Sequence, residues 1–193
     1  MKPKITNLME EIEFYAFDDE IWCRFNNGKN VRITEHSIEI VDKLFDMICN
    51  NYKDAYESLK DLYGNSHPNL PYYKYRVVSR FIRCNFSRLD TTYRDIENYA
   101  GNIRMNMEKI ECPLRGECKY DGRICMSAFD SRMTEIELKV AKLFFEGKRK
   151  EEIAKEVILS PETINNHIRR IYKKLGVHSE AEFVKYVAAH KLF

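Results

Sequence analysis

The chain has 193 residues and a mass of 23.0 kDa, a size that favours one or two domains and excludes a large multidomain enzyme. Its 32 basic and 30 acidic residues nearly cancel, so the protein as a whole is not strongly basic, and a hydrophobic content of 44% is enough to bury a core. No apolar run approaches the roughly 18 residues of a membrane span, and the stretch from Met1 to Glu13 lacks the apolar core of a signal peptide. We therefore expect a cytoplasmic protein with no membrane partner, whose six cysteines are thiols or metal ligands rather than disulfides.

Residues 1–110 are predicted to form a mainly helical N-terminal domain that carries a small β-hairpin. Apolar residues alternate over 21–25 and again over 31–33, and the turn pair Asn27-Gly28 lies between the two runs. The acidic pair Asp18-Asp19 precedes the hairpin. We interpret this pair as turn residues rather than as the phospho-acceptor of a receiver domain, because the other strand-end residues of a receiver are missing.

Three helices are predicted after the hairpin. The first spans about Glu35 to Ile48, the second spans 53–63 and ends at Gly64, and the third begins near Tyr72 after a loop that contains two prolines. The apolar spacing of the first helix predicts four buried side chains, which are Ile38, Val41, Phe45 and Ile48.

Three arginines, Arg76, Arg80 and Arg83, recur at helical spacing on the third helix. They are compatible with a second phosphate-contacting surface and, with more weight, with an ordinary solvated helix face.

Residues 111–130, which we call the cysteine segment, are predicted to bind a metal. Cys112, Cys118 and Cys125 follow a C-x5-C-x6-C pattern, and glycines between them allow the chain to fold back. A structural zinc site requires four ligands in a closed tetrahedron. We choose Cys84 as the fourth, because its neighbours are polar and it is expected to follow the end of the third helix.

Zinc is the preferred metal for these four cysteines. An iron–sulfur cluster and unligated or redox-active thiols remain open, because the pattern lacks paired CxxC motifs and four cysteines suit either metal by number. Cys23 and Cys49 lie among apolar residues and are interpreted as buried thiols.

Residues 131–193 carry a net charge of +4, against −2 for residues 1–130. Cap residues and apolar spacing predict four helices in this C-terminal domain. The first begins after Thr134, the second covers about 150–157, the third covers 161–175 behind a Ser160 cap, and the last lies within 179–190.

The second and third of these helices, joined by a tight turn, predict a helix-turn-helix whose second helix enters the major groove of double-stranded DNA. Asparagine and arginine are base-reading side chains, whereas lysine, threonine and histidine are suited to phosphate contacts. The predicted DNA-binding residues are Thr163, Asn165, Asn166, His167, Arg169, Arg170, Lys173 and Lys174.

The segment from Met133 to Phe193 resembles the LuxR/FixJ/GerE-type domain of bacterial transcription factors. The matching positions are Thr134, Glu137, Gly147, Ile153-Ala154, Ser160, Thr163-Ile164, His167, Ile171-Tyr172, Lys174-Leu175-Gly176-Val177 and Ser179. The resemblance implies a four-helix domain in which the third helix reads DNA and the fourth commonly mediates dimerisation. The cysteine segment also resembles, less specifically, a stretch that precedes this domain in some bacterial regulators.

These patterns predict a mainly α protein that regulates transcription, binds DNA as a homodimer through helix 179–190, and has an N-terminal domain held together by a four-cysteine metal site. The alternative is an adaptor whose N-terminal domain binds a protein such as RNA polymerase, while the helix-turn-helix tethers it to DNA. An enzyme is not expected, because the five histidines are scattered and neither a Gly-rich phosphate loop nor a nucleophile motif is present.

Overall fold

The computed structural model describes residues 11–89, 94–99 and 102–193, and the chain divides into two compact units. Unit 1 runs to Tyr99 and then from Ile103 to Ala128, and unit 2 extends from Phe129 to Phe193. The expectation that the N-terminus lacks a signal peptide concerns mainly residues 1–10, which lie outside the described part of the chain. Across the described ranges the protein is mainly α-helical, and no helix there has the length and apolar character to cross a bilayer.

Unit 1 contains a β-sheet whose strands are four to seven residues long. Its strands are β1 (Glu11–Phe17), β2 (Glu20–Phe25), β3 (Asn30–Ile33), β4 (Ile96–Tyr99) and β5 (Asn102–Met105), in the order β3-β2-β1-β4-β5. The pairs β1–β2, β2–β3 and β1–β4 are antiparallel. One face of the sheet carries the buried side chains Ile12, Phe14, Ile21, Cys23 and Ile33.

The predicted hairpin is confirmed as β2 and β3, in which Ile21 lies opposite Ile33. The sheet is larger than predicted, since β1, β4 and β5 extend it on the other side. Asp18 and Asp19 are confirmed as turn residues. They adopt φ values of +50° and +61° in the two-residue connection between β1 and β2, the backbone that a tight hairpin of this length requires.

Unit 1 also contains three helices: α1 (Ile38–Asn51), α2 (Lys53–Tyr63) and α3 (Leu70–Asn85). The central one is α3, which packs against α1, α2, β1 and β2. Its buried residues include Val77, Val78, Phe81 and Ile82. The ring of Phe86, just beyond the helix, lies 5.8 Å from that of Phe14, so α3 and β1 share one core.

Two predictions about these helices were wrong in detail. Ile38, which was predicted to be buried, is 58% exposed because it is the first residue of α1. Leu44, which was not among the predicted residues, is buried. The third helix begins at Leu70, before the expected start, because Asn69 caps it by accepting a hydrogen bond from the Tyr72 N–H. The same helix ends at Asn85, so Cys84 lies in its last turn and does not follow the helix end as predicted.

Unit 2 contains the four predicted helices: α4 (Glu135–Phe145), α5 (Lys150–Val157), α6 (Pro161–Leu175) and α7 (Glu180–His190). Thr134 and Glu137 form a reciprocal capping box at the start of α4. The four helices enclose one apolar core, whose members include Val140, Ile153, Ile164, Ile171, Phe183 and Val187.

The cysteine segment is attached to α3 by the side chain of Asn85, which is fully buried. Its Nδ2 donates to the carbonyl oxygens of Phe81 at 2.9 Å and Ile124 at 3.0 Å. Its Oδ1 accepts a hydrogen bond from the Met126 N–H at 2.8 Å. Because one buried amide satisfies groups on both segments, it fixes the residues that flank Cys125 against the end of α3.

Replacing Asn85 by Ala should destabilise unit 1 by roughly 2–4 kcal/mol, because it leaves buried backbone groups of the cysteine segment without partners. Trp22 is the sole tryptophan of the chain and lies in β2, so its fluorescence during urea unfolding reports on unit 1. Asn166→Ala, at an exposed position of unit 2, is the matched control and should leave this transition unchanged. An Asn85→Ala transition within about 0.5 kcal/mol of the wild type would contradict the proposed attachment.

Candidate nucleic-acid interface and cysteine cluster

The turn between α5 and α6 is short and carries one conformationally unusual residue. Ile158 has a left-handed backbone, with φ +57° and ψ +50°, and its side chain is 90% exposed. The next residue returns to the protein, since the Leu159 N–H donates to the Ala154 carbonyl oxygen at 2.9 Å and its side chain packs on the core of unit 2. This geometry reverses the chain within two residues and is typical of a helix-turn-helix.

Both ends of α6 are defined by local sequence signals. The hydroxyl of Ser160 accepts a hydrogen bond from the Thr163 N–H at 3.1 Å, and Pro161 occupies the first turn. Gly176 ends the helix with φ +68°, a conformation that side chains disfavour. The inner face of the helix is buried as predicted, through Ile164, Ile168, Ile171 and Leu175.

Four of the predicted DNA-binding residues form an exposed stripe on the opposite side of α6. We call this stripe the recognition face, and its members are Asn166, Arg169, Arg170 and Lys173. Positions three, four and seven residues apart lie on one side of a helix, so these side chains point the same way. Within the described ranges, no ion pair engages Arg169, Arg170 or Lys173. These cations are therefore available to a polyanion.

Three further predicted contacts, Thr163, Asn165 and His167, lie on the flanks of this face and are half-buried. The hydroxyl of Thr163 already lies 2.8 Å from that of Ser160, within the helix cap. The Nδ1 atom of His167 is buried and has no hydrogen-bond partner among the described residues. The DNA contacts of these three residues stay predictions.

Lys174 ties α6 to α4. Its Nζ lies 2.5 Å from Oε2 of Glu137, a carboxylate that is only 3% exposed. The same oxygen accepts hydrogen bonds from the Thr134 N–H at 2.8 Å and hydroxyl at 3.0 Å. Burial alone would raise the pKa of Glu137, but Lys174 and Thr134 outweigh it and lower that pKa overall. Lys174 therefore has a structural role in addition to its predicted phosphate contact.

The last helix, α7, presents different surfaces on its two sides. Phe183 and Val187 are buried in the core of unit 2, whereas Val184 is 41% exposed and Ala188 is half-buried. The sequence predicted apolar residues on two faces of this helix, and the structure buries one of them within the unit.

Unit 1 brings two of the predicted metal ligands near each other. Asn85 holds the segment around Cys125 against the end of α3, where Cys84 lies. Cys112 also interacts electrostatically with Cys84, and the side chain of Arg80 interacts with the thiols of both and with Cys118. We call these four cysteines (Cys84, Cys112, Cys118 and Cys125) the thiol cluster.

The thiol cluster is not a closed coordination site. Among the described residues, no three side chains of the metal-ligating types are arranged to hold a metal ion, so the four-cysteine metal site stays a prediction. Burial raises the pKa of the Cys84 thiol to about 12, while Arg80 acts in the opposite direction. Cys23 and Cys49 lie elsewhere. The Cys23 thiol is in the core with a pKa raised by burial to about 12, and Cys49 contacts Tyr56.

The three arginines of α3 do not form a common surface. The guanidinium of Arg76 lies 4.5 Å from the centre of the Tyr63 ring. Arg83 pairs with Asp19, and Arg80 faces the thiol cluster. The three arginines therefore form neither of the two surfaces considered from the sequence, a phosphate-contacting stripe or a uniformly solvated face.

Sequence reasoning missed two interactions that join elements of these units: the hydrogen bonds of Asn85 and the pairing of Glu137 with Lys174. The partners of Asn85 and of Lys174 are 39 and 37 residues away, beyond the reach of any local pattern.

Comparison with known proteins supports the interpretation of unit 2. Residues 131–187 match the family model described as bacterial regulatory proteins, luxR family. This match confirms the resemblance that the matching positions between Thr134 and Ser179 indicated for the C-terminal domain. No solved structure gives a significant match to the chain.

Three curated relatives illustrate the similarity. The Fimbriae Z protein of Salmonella typhimurium is 35% identical over 63 residues, which are 33% of this chain and 30% of that protein. The uncharacterized response regulatory protein YgeK of Escherichia coli is 39% identical over 87 residues, 45% of this chain and 50% of that protein. The response regulator UvrY of Escherichia coli is 30% identical over 60 residues, which are 31% of this chain and 28% of that protein. The chain thus spans half or less of the length of these relatives.

Glu137→Gln should destabilise unit 2 at neutral pH by roughly 1–3 kcal/mol, because it removes the charge that Lys174 and the helix cap stabilise. Since the folded-state pKa of Glu137 is lowered, its contribution is complete above the ordinary glutamate pKa and disappears as the pH falls through the lowered value. Thermal unfolding followed by circular dichroism, from neutral pH to about pH 3, measures this dependence.

Glu135→Gln, at an exposed position in the first turn of the same helix, is the matched control. The stability of the Glu137→Gln variant should depend less on acid than that of this control. Equal acid dependence of both variants and the wild type would show that the Lys174–Glu137 pair does not stabilise the unit.

Proposed function

We propose that the protein is a bacterial, cytoplasmic transcription regulator that binds specific sequences of double-stranded DNA. Helix α6 enters the major groove in this proposal, and the recognition face contacts the bases and the adjacent phosphates. Asparagine can pair bidentately with adenine and arginine with guanine, whereas lysine contributes a phosphate contact.

The observation that carries the proposal is the recognition face itself. Four polar or cationic side chains project from one side of a helix whose ends are capped and whose other side is buried in a luxR-family domain. A rigid helix of this kind holds its outer side chains in a fixed register, as base readout requires. The cations on this face have no ion-pair partners within the described residues, which favours a ligand with negative charge.

We further propose that the protein acts as a homodimer through helix α7. Val184 and Ala188 are spaced by one turn and are less buried than Phe183 and Val187, so a second copy could cover them. A two-fold dimer requires two half-sites whose centres are separated by about 10 base pairs or a multiple of that distance.

The thiol cluster is proposed to bind zinc or, alternatively, an iron–sulfur cluster. Four thiolates complete a tetrahedral zinc site, and four also complete the ligation of a [4Fe–4S] cluster. The tether through Asn85 supports the choice of Cys84 as the fourth ligand, because it holds the residues on both sides of Cys125 against the end of α3. An open cleft of about 660 Å³ borders Cys112, so that a metal could reach the cluster from solvent.

Arg169→Ala should weaken binding to the preferred DNA sequence by about 1–3 kcal/mol and relax specificity at one base position. Lys173→Ala should instead weaken binding to all sequences by a similar factor. It should also reduce the slope of log binding constant against log salt concentration by about one. The preferred sequence is first selected from a random duplex library with the full chain, and affinities are then measured by fluorescence anisotropy at several salt concentrations.

Lys139→Ala, an exposed lysine of α4, is the control and should bind like the wild type. Wild-type affinity of Arg169→Ala for both selected and random DNA would show that α6 is not the reading helix. If selection yields no preferred sequence, the proposal of sequence-specific DNA binding is wrong. The adaptor hypothesis is then tested by measuring binding to RNA polymerase.

Full-length protein purified without oxygen should contain one zinc per chain and be colourless, or else be brown with iron and sulfide. Cys112→Ser should lose most of this metal, because one ligand of four is removed, whereas Cys49→Ser should retain it. Elemental analysis with a visible spectrum measures both. Metal-free wild-type protein, or equal metal in both variants, would show that the thiol cluster is not a metal site.

A further inference from the structure

The side of α6 that carries the recognition face also carries a negative charge, at its N-terminal end. Glu162 is the second residue of this helix, and its side chain is exposed. It precedes Asn166 by four residues and Arg169 by seven, so its side chain leaves the same side of the helix as theirs. Among the described residues, none forms an ion pair or a hydrogen bond with the Glu162 carboxylate.

The glutamates at the other helix starts of unit 2 have a structural use that Glu162 lacks. In α4, α5 and α7 the third helical residue is a glutamate whose Oε2 accepts a hydrogen bond from a backbone N–H that precedes the helix. These residues are Glu137, Glu152 and Glu182. In α6 the third residue is Thr163, whose hydroxyl lies within the helix cap. The carboxylate of Glu162 therefore takes no part in capping its own helix.

A carboxylate on this side of α6 opposes binding to DNA in general. Non-specific affinity comes from cations that neutralise phosphates, and a negative charge beside Arg169 and Lys173 weakens that attraction. The carboxylate also repels the acceptor atoms that guanine and thymine present in the major groove. It is stabilised in the groove by a base that donates a hydrogen bond to it.

Two bases present a donor in the major groove, cytosine through its N4 amino group and adenine through its N6 amino group. Adenine places its N7 acceptor beside that donor, whereas cytosine does not, so a carboxylate is better matched to cytosine. The N-terminal residues of a reading helix are the ones that contact base edges. Glu162 lies in the first turn of α6 and occupies such a position.

We propose that Glu162 determines specificity by accepting a hydrogen bond from the N4 amino group of a cytosine in the DNA site. It favours a C·G pair at one position, and it disfavours bases that present an acceptor there. The inference rests on the proposed function, because it requires α6 to lie in the major groove. It deepens that function by assigning a base to one residue.

The test compares the DNA sequences that variants of the full chain select from a random duplex library. Affinities for all four bases at the position whose preference changes are then measured by fluorescence anisotropy. The wild type should prefer cytosine there by roughly 5–150-fold, the usual effect of one wrong base pair. Glu162→Gln should change this preference to adenine, because glutamine pairs bidentately with adenine N6 and N7.

Glu162→Ala removes both the charge and the acceptor. It should lose the preference at this one position and bind random duplexes more tightly than the wild type, because the repulsion of phosphates is relieved. Glu135→Gln is the matched control, since it removes an exposed carboxylate from the first turn of α4. It should select the wild-type sequence.

Thermal unfolding of the same proteins distinguishes base reading from a purely structural role. If Glu162 only stabilises the start of α6 through the helix dipole, Glu162→Gln should lower the melting temperature and select the wild-type sequence. That result would overturn the cytosine contact, as would a change at a position where the wild type prefers another base. If Arg169→Ala still relaxes specificity, α6 remains the reading helix. Absence of a preferred sequence in the wild type would instead overturn the proposed function, and the role of Glu162 with it.

Discussion

A polar group removed from water must find its hydrogen bonds inside the protein, and two buried side chains show how much of this molecule depends on that constraint. Asn85 satisfies backbone groups of α3 and of the cysteine segment at once, so the ends of two distant stretches of chain are held together. Glu137 does the same for α4 and α6 through Thr134 and Lys174. In each case one side chain joins two elements that hydrophobic packing alone would allow to slide.

The helices of unit 2 could be predicted almost residue by residue because their signals are local. Thr134 and Ser160 cap helices within three residues, and Gly176 ends one by its own backbone conformation. The strands β1, β4 and β5 were missed because a sheet is defined by pairing partners, and Ile12 pairs with Ile96 from far along the chain. The same limit applies to the cysteine segment: the spacing of Cys112, Cys118 and Cys125 could be read from the sequence, but the tether through Asn85 could not.

The arginines of α3 show why residue type and spacing do not determine a role. Arg76, Arg80 and Arg83 recur at helical spacing on one helix, yet one lies over an aromatic ring, one lies near thiols and one pairs with a hairpin turn. What distinguishes them is the element that each meets across the fold. A charge pattern on a helix therefore indicates where cations lie, and only the tertiary structure indicates which anion or ring each cation serves.

The turn of the helix-turn-helix contains a residue whose backbone conformation is energetically unfavourable. Ile158 is β-branched and left-handed, a combination that disfavours the folded backbone by about 1–2 kcal/mol relative to a residue suited to that region. Its side chain is 90% exposed and recovers little of this energy by burial. The junction between α5 and α6 is thus held by its neighbours, through the Leu159 hydrogen bond and the Ser160 cap, against the preference of Ile158 itself. A domain that keeps such a residue in this turn has not been optimised for stability there.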